Sequence, residues 1–507
     1  MKITKNIARL AVTAGLTAAL SFGGVMAPVT MAFAAEGATT EANSITITQN
    51  ANNKDAIDPN KKTQFIAYQI FNAKVDDENG SGRKVVSDVT WAIEDVQIQN
   101  QIIDAIKKSI ENDSSESQLP TKPTAQNVAE WMAANLQSAS GVVNDGDLLD
   151  KIADLLKGAT PTKPKGATSA AFAADGPVSF ENSGYYLFLT DNGSIGGKDN
   201  YSGRMQTGTS PIFAVVGGSA VVVTEKTGIP TVTKKIKDDK PGSHWADKAD
   251  SQVGQNVQYQ LTGTVAENVA SFNTYYYEFY DELSAGLIAD KDSVHVTVYA
   301  NNEDTSGTEV NLPTGAVEYN TTGNNNVLTV KFNDLKAVTA KTGSSAISIT
   351  KDSRVVVTYL AKLNPAKIEK VTVGGRGNDN EVKLIYSNNP MSEGKGESVP
   401  DTVRDYTYAL QLVKEDFDDN NKKLKDVEFT IKATGADELA SGTVGTQFVQ
   451  ENGSLGGTEH KFKTNENGEI SVTGLDAGTY TVHEVENSNP GYNTLPDFTF
   501  TITAEGL

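Results

Sequence analysis

The chain has 507 residues, a formal charge of −20 from 64 Asp and Glu against 44 Lys and Arg, and no cysteine. Disulfides, thiolate nucleophiles and cysteine-held metals are therefore excluded, and the acid excess argues against nucleic acid, whose binding rests on neutralising phosphates. The length suits two to four domains, each able to bury its own core.

Lys2, Lys5 and Arg9 introduce an apolar stretch from Ile7 to Leu20, followed by the small-x-small sequence Ala32-Phe33-Ala34. This order is that of an exported protein with a cleaved signal peptide over residues 1–34. Breaks at Ser21, Gly23, Gly24 and Pro28 disfavour an uncleaved membrane anchor.

Residues 36–225 read as a first domain of strands with a helical insertion. Ser44 to Thr48 and Thr63 to Phe71 are strand-like. Helical spacing then relates Ile102, Ile103, Ile106 and Ile110, next Val128, Trp131, Met132 and Leu136, and last Leu148, Leu149, Ile152, Leu155 and Leu156. The pattern predicts three short amphipathic helices covering one side of a sheet, with strands returning at Tyr185 to Thr190 and Pro211 to Val216.

Between Val221 and Asp239 a β-branched run breaks at Gly228 and Pro230 and resumes as a second strand. Alternation puts Val232, Lys234 and Ile236 on one face, so a lysine sits on an apolar side, whereas Lys226 lies beside the breakers where its amine is expected to be exposed. A second domain over residues 231–390 is almost entirely β: Val257 to Leu261, Tyr275 to Tyr280, Val294 to Tyr299, Val327 to Phe332, Arg354 to Leu360 and Val382 to Tyr386, an antiparallel sandwich by its turn spacing. The tract Gly374 to Asn380 reads as one of its turns. Asp281 shares parity with Tyr277 and Phe279, and Asn388 with Val382, Leu384 and Tyr386, with Asn389 the rival that parity disfavours. Residues 405–507 form a third β domain, with strands at Ala409 to Val413, Val427 to Lys432, Gly468 to Val472, Tyr480 to Val485 and Phe498 to Thr503. There Leu410, Leu412 and Lys414 share a face, as do Tyr480, Val482 and Glu484.

Competing chemistry is weak. Asp416 to Asn421 starts like a calcium loop but has Asn421 where a glycine is needed and Val427 where a bidentate Glu is needed. His244, His295, His460 and His483 lack ligand spacing, and no nucleophile triad or phosphate loop occurs, so neither metal, cofactor nor enzymatic turnover is expected.

The junction Thr227-Gly228-Ile229-Pro230-Thr231-Val232-Thr233-Lys234-Lys235 resembles that of Gram-positive sortase-assembled backbone pilins, with Glu225 where that family usually has proline. The third domain resembles a CnaB-type domain through its Leu-x-Leu-x-Lys strand, Val427 to Ile431, the Gly478 to Glu484 segment matching the family's E-box, and Pro490-Gly491-Tyr492. The resemblance implies tandem Ig-like, Cna-type β-sandwiches. It also implies Lys-Asn isopeptide bonds assisted by a buried acid, here Lys234 with Asn388 and Asp281, and Lys414 with Glu484. Lys226 would be the lysine through which a class C pilus sortase joins identical subunits, with Lys235 or Lys237 as its alternates. Further implied partners are minor tip and base pilins, and peptidoglycan through a housekeeping sortase, placing the protein on the cell surface. No asparagine for Lys414 and no sorting signal is found before Leu507, and Leu312-Pro313-Thr314-Gly315 reads as a turn. The given sequence is thus expected to stop short of the natural C-terminus. The competing expectation is a monomeric, wall-anchored adhesin binding a host ligand through its N-terminal domain.

Overall fold

The structure is a computed structural model, which describes residues 43–50, 62–77, 84–112, 118–136, 148–195, 207–225, 227–240, 242–321, 325–434 and 447–504. Strands dominate, in three successive units with separate cores.

In the first unit the strands Lys84–Trp91, Gln64–Asp77, Gly184–Thr190 and Ile212–Val216 are neighbours in that order. All seven residues of Gly184–Thr190 are buried. Its sequence is continuously apolar because it is covered on both faces. Tyr185, Leu187 and Leu189 pack in the core shared with the helices, while Tyr186 and Phe188 pack in a second core beneath a small sheet of Pro177–Ser179, Ser44–Thr48 and Val221–Thr224. The last two strands of that sheet run parallel, Ile45 beside Val221. The expected helices are Val96–Asn112, Ala125–Asn135 and Leu148–Leu156. Their stripes bury Ile102, Ile106, Val128, Met132, Ile152 and Leu156 completely, and a Thr124–Asn127 capping box starts the second.

The second unit is a sandwich around one large core. One sheet runs Trp245–Ala246, Val232–Lys237, Val257–Thr264, Arg354–Leu363, Leu287–Tyr299, Thr308–Glu309. The other runs Lys248–Asp250, Asp401–Tyr406, Asn378–Ser387, Tyr277–Ser284, Asn325–Phe332, Val317–Asn320, with Lys395–Glu397 beside Asn378–Ser387. This unit continues past residue 390 through Tyr406, whereas the expectation from sequence leaves 391–404 between domains and starts the third at 405. Charged Asp401, Arg404 and Asp405 disguise a strand whose Val403 and Asp405 are fully buried. It pairs in parallel with Lys248–Asp250, a departure from a wholly antiparallel sandwich.

In the third unit Tyr408–Val413 pairs with Glu469–Leu475, and Leu455–Gly456, Phe448–Val449, Glu428–Ala433, Gly478–Glu484 and Phe498–Ile502 form the second sheet in that order, with Phe462–Lys463 also beside Glu428–Ala433. Among the described residues, Tyr408–Val413 has only that one strand neighbour.

Candidate functional site

The site grows out of period-2 alternation on two strands from opposite sheets. On Val232–Lys237, positions 232, 234 and 236 are buried; on Tyr277–Ser284, positions 277, 279, 281 and 283 are. Lys234 is therefore delivered from one sheet and Asp281 from the other, at 0 and 1 % side-chain exposure. Lys234 Nζ donates to Asp281 Oδ1 and, at 3.2 Å, to the Tyr359 hydroxyl. Tyr359 donates in turn to Asp281 Oδ2 at 2.5 Å. Nζ also lies 5.6 Å from the ring centres of both Tyr259 and Tyr359, which stack 5.3 Å apart.

Burial sets the electrostatics. Desolvation lowers the Lys234 pKa to about 8, although the attraction of Asp281 works the other way. It raises that of Asp281 against the opposing effect of Lys234. Both shifts favour moving the proton from ammonium to carboxylate, leaving a neutral amine beside a neutral acid. A neutral, buried amine is a nucleophile.

The expected asparagine is elsewhere. Asn388 is buried, as its parity implied, but its amide donates to Ile195 O at 2.9 Å in the first unit, and its backbone carbonyl accepts from Gly208 N–H. Asn389 is likewise turned away, donating to Thr190 O at 3.4 Å and accepting from Met391 N–H at 3.1 Å. Met391 itself belongs to the core of the first unit, and Lys157 Nζ donates to its carbonyl at 2.9 Å. The 388–391 segment is thus a plug joining two units, and its residues are buried for that reason.

The asparagine in the lysine cluster is Asn380, whose amide donates to the Tyr359 hydroxyl at 2.7 Å. Its side-chain oxygen is buried without a hydrogen-bond partner. Sequence reading missed it because the strand starts at Asn378, four residues before the expected Val382, inside the tract taken for a turn. The parity that selected Asn388 selects Asn380 equally. Asn378, on the same face, is occupied structurally: it donates to Thr372 O and Asp405 O and accepts from Thr372 N–H.

In the third unit Lys414 Nζ donates to Glu484 Oε2 at 3.2 Å, at 9 and 1 % side-chain exposure, and that oxygen also accepts from Leu495 N–H at 3.1 Å. Lys226 lies outside the described residues; its neighbour Glu225 is buried and accepts from Asn50 N–H at 3.0 Å. A lysine that sequence reading passed over, Lys84, is completely buried and donates to the carbonyls of Gly217 and Ser219 at 2.5 and 2.8 Å. Desolvation brings its pKa to about 8. Among the described residues no three His, Asp or Glu side chains could hold a metal.

Residues 409–507 match the SpaA prealbumin-like fold domain family. Structurally similar proteins are Gram-positive pilus subunits. The T6 backbone pilin of Streptococcus pyogenes is 16 % identical, with 92 % of this chain and 81 % of that one covered at a TM-score of 0.49. The full-length RrgB pilus protein of Streptococcus pneumoniae is 13 % identical, covering 91 and 93 % at 0.42, and the major pilin SpaD of Corynebacterium diphtheriae 15 % identical, covering 89 and 87 % at 0.41. No curated protein matches the sequence.

Proposed function

We propose that this chain is the shaft subunit of a covalently polymerised surface pilus, and that its middle sandwich locks itself with a bond between Lys234 and Asn380. The observation that carries this reading is the wholly buried Lys234–Asp281 pair, tied through the Tyr359 hydroxyl to an asparagine with an unsatisfied carbonyl. A chain without cysteine gains no strength from disulfides. A subunit bearing load along a fibre needs another covalent clamp.

The chemistry balances without a co-reactant. Lys234 passes a proton to Asp281, the neutral amine attacks the Asn380 side-chain carbonyl carbon, and the C–N bond to the asparagine amide nitrogen breaks. That nitrogen departs carrying the second amine proton. Asp281 polarises the carbonyl as an acid and then gives the proton it took from Lys234 to the departing ammonia, so that it ends as the carboxylate and the nitrogen leaves as ammonium; Tyr359 holds its second oxygen. The event happens once per chain. Lys414 with Glu484 is the corresponding pair in the third sandwich.

Polymerisation is assigned to Lys226, joined by a class C sortase to the next identical subunit, with minor pilins at tip and base and peptidoglycan attachment by a housekeeping sortase. The test is a denaturing gel of cell-wall extracts from cells making the wild-type chain or Lys226→Ala. The wild type should give a ladder of heat-stable multimers, and the variant a folded monomer alone. A wild type that runs only as monomer would refute the shaft role, while a ladder surviving in Lys226→Ala would move the linkage to Lys235 or Lys237.

A further inference from the structure

The second and third units meet along a seam made largely of acids and amides. Val253 N–H donates to Gly474 O at 3.0 Å, Asp476 N–H to Gln252 Oε1 at 2.9 Å, and Gln252 Nε2 to Gly453 O. The Tyr480 hydroxyl donates to Gln252 Oε1 at 3.0 Å. Gly474 packs so tightly on Val253 that a side-chain carbon there would come within 2.5 Å of it. At the centre one donor, Ala477 N–H, serves two carboxylates, Asp250 Oδ2 at 3.2 Å from the second unit and Asp476 Oδ1 at 2.8 Å from the third. Asp250 and Asp476 are 4 and 1 % exposed, and Asp476 Oδ2 is buried with no donor.

The surroundings deepen the conflict. Asp238 and Asp239 come from the end of the Lys234 strand, Asp405 from Asp401–Tyr406, and the phenols of Tyr408 and Tyr480 from the third unit. Ser251 holds both Asp405 oxygens at 2.9 Å, Gln255 holds Asp239, and Asp250 N–H donates to Asp238 Oδ2 at 3.3 Å. Lys240 and Lys248 are exposed at the edge, and Arg404 pairs with Asp379 at 2.7 Å. Two carboxylates so placed cannot both remain ionised at low cost.

We propose that this seam is a proton-dependent clamp, in which Asp250 and Asp476 share a proton that bridges the two units and whose loss loosens the junction. A shared proton supplies the donor that Asp476 Oδ2 lacks. Desolvation first, then the neighbouring carboxylates, raise the Asp476 pKa well above its usual range, and desolvation raises that of Asp250 to about 6 and of Asp239 to about 8. Because these folded-state values lie above the unfolded ones, their contribution is complete below about pH 4 and is lost as pH rises through about 6 to 8. The shaft would be stiff at this joint in acid and looser above neutrality.

The test is amide hydrogen exchange on the full chain between pH 5 and 9, corrected for intrinsic rates. It reads the three N–H groups that cross or cap the seam: Val253, Asp476 and Ala477. In the wild type their protection should fall by up to about tenfold per pH unit across that window, one proton's worth. Asp476→Asn, which carries its own donor, should flatten the dependence, and Asp250→Asn provides the same readout if the first variant folds poorly. Wild-type protection independent of pH, or an equal slope in the folded amide variant, would overturn the clamp. So would an ion effect: if calcium raises and a chelator lowers protection at constant pH, a cation and not a proton bridges the acids.

Discussion

Replacing Asn380 with alanine is the change that separates a working lock from mere packing. Lys234 and Asn380 are 146 positions apart (380 minus 234). By analogy with a disulfide closing a loop of that length, the crosslink stabilises the sandwich by about 5 kcal/mol in the chain-entropy model. A unit of this size shifts by roughly 2–4 °C per kcal/mol, so Asn380→Ala should lower its melting temperature by roughly 10–20 °C. Intact-mass spectrometry is the direct assay. The wild-type chain should be lighter than its sequence mass by one ammonia for this bond, and Asn380→Ala and Asp281→Ala should each regain it. Asn388→Ala should keep the loss, because the Asn388 amide is anchored to Ile195 in the first unit and not in the Lys234 cluster, although its side-chain oxygen, like that of Asn380, has no hydrogen-bond partner. Should Asn380→Ala still shed that ammonia, or Asn388→Ala fail to, the assignment of the bond to Asn380 is refuted.

Truncating Met391 to alanine should cost about 2–5 kcal/mol of first-unit stability although the residue lies far along the chain, and differential scanning calorimetry should show the first-unit transition falling. Glu484→Ala should destabilise the third unit by about 3–5 kcal/mol by leaving Lys414 buried without its counter-charge, read by chemical denaturation; a change under 1 kcal/mol would mean the pair is screened. Lys414 should appear in tryptic maps as an unlinked lysine, since among the described residues no asparagine side chain is hydrogen-bonded into the Lys414–Glu484 pair as Asn380 is into the Lys234 cluster; a Lys414-linked peptide pair would contradict this.

Local rules were enough for much of this protein. Alternation on single strands placed Lys234, Asp281 and Glu484 facing inward, and 3.6-residue spacing placed the three helices, because each is a property of consecutive residues. Tertiary structure alone decided which inward residues meet. Asn380 and Asn388 have the same parity and are both buried, yet one reaches the Tyr359 hydroxyl beside Lys234 and the other crosses into a neighbouring unit. Parity says which face a side chain takes, but not what lies across from it. The acid seam was beyond sequence reading for the same reason. Asp250 and Asp476 are 226 positions apart (476 minus 250), and nothing local to either marks it as buried against the other until packing of two units closes water out from between them.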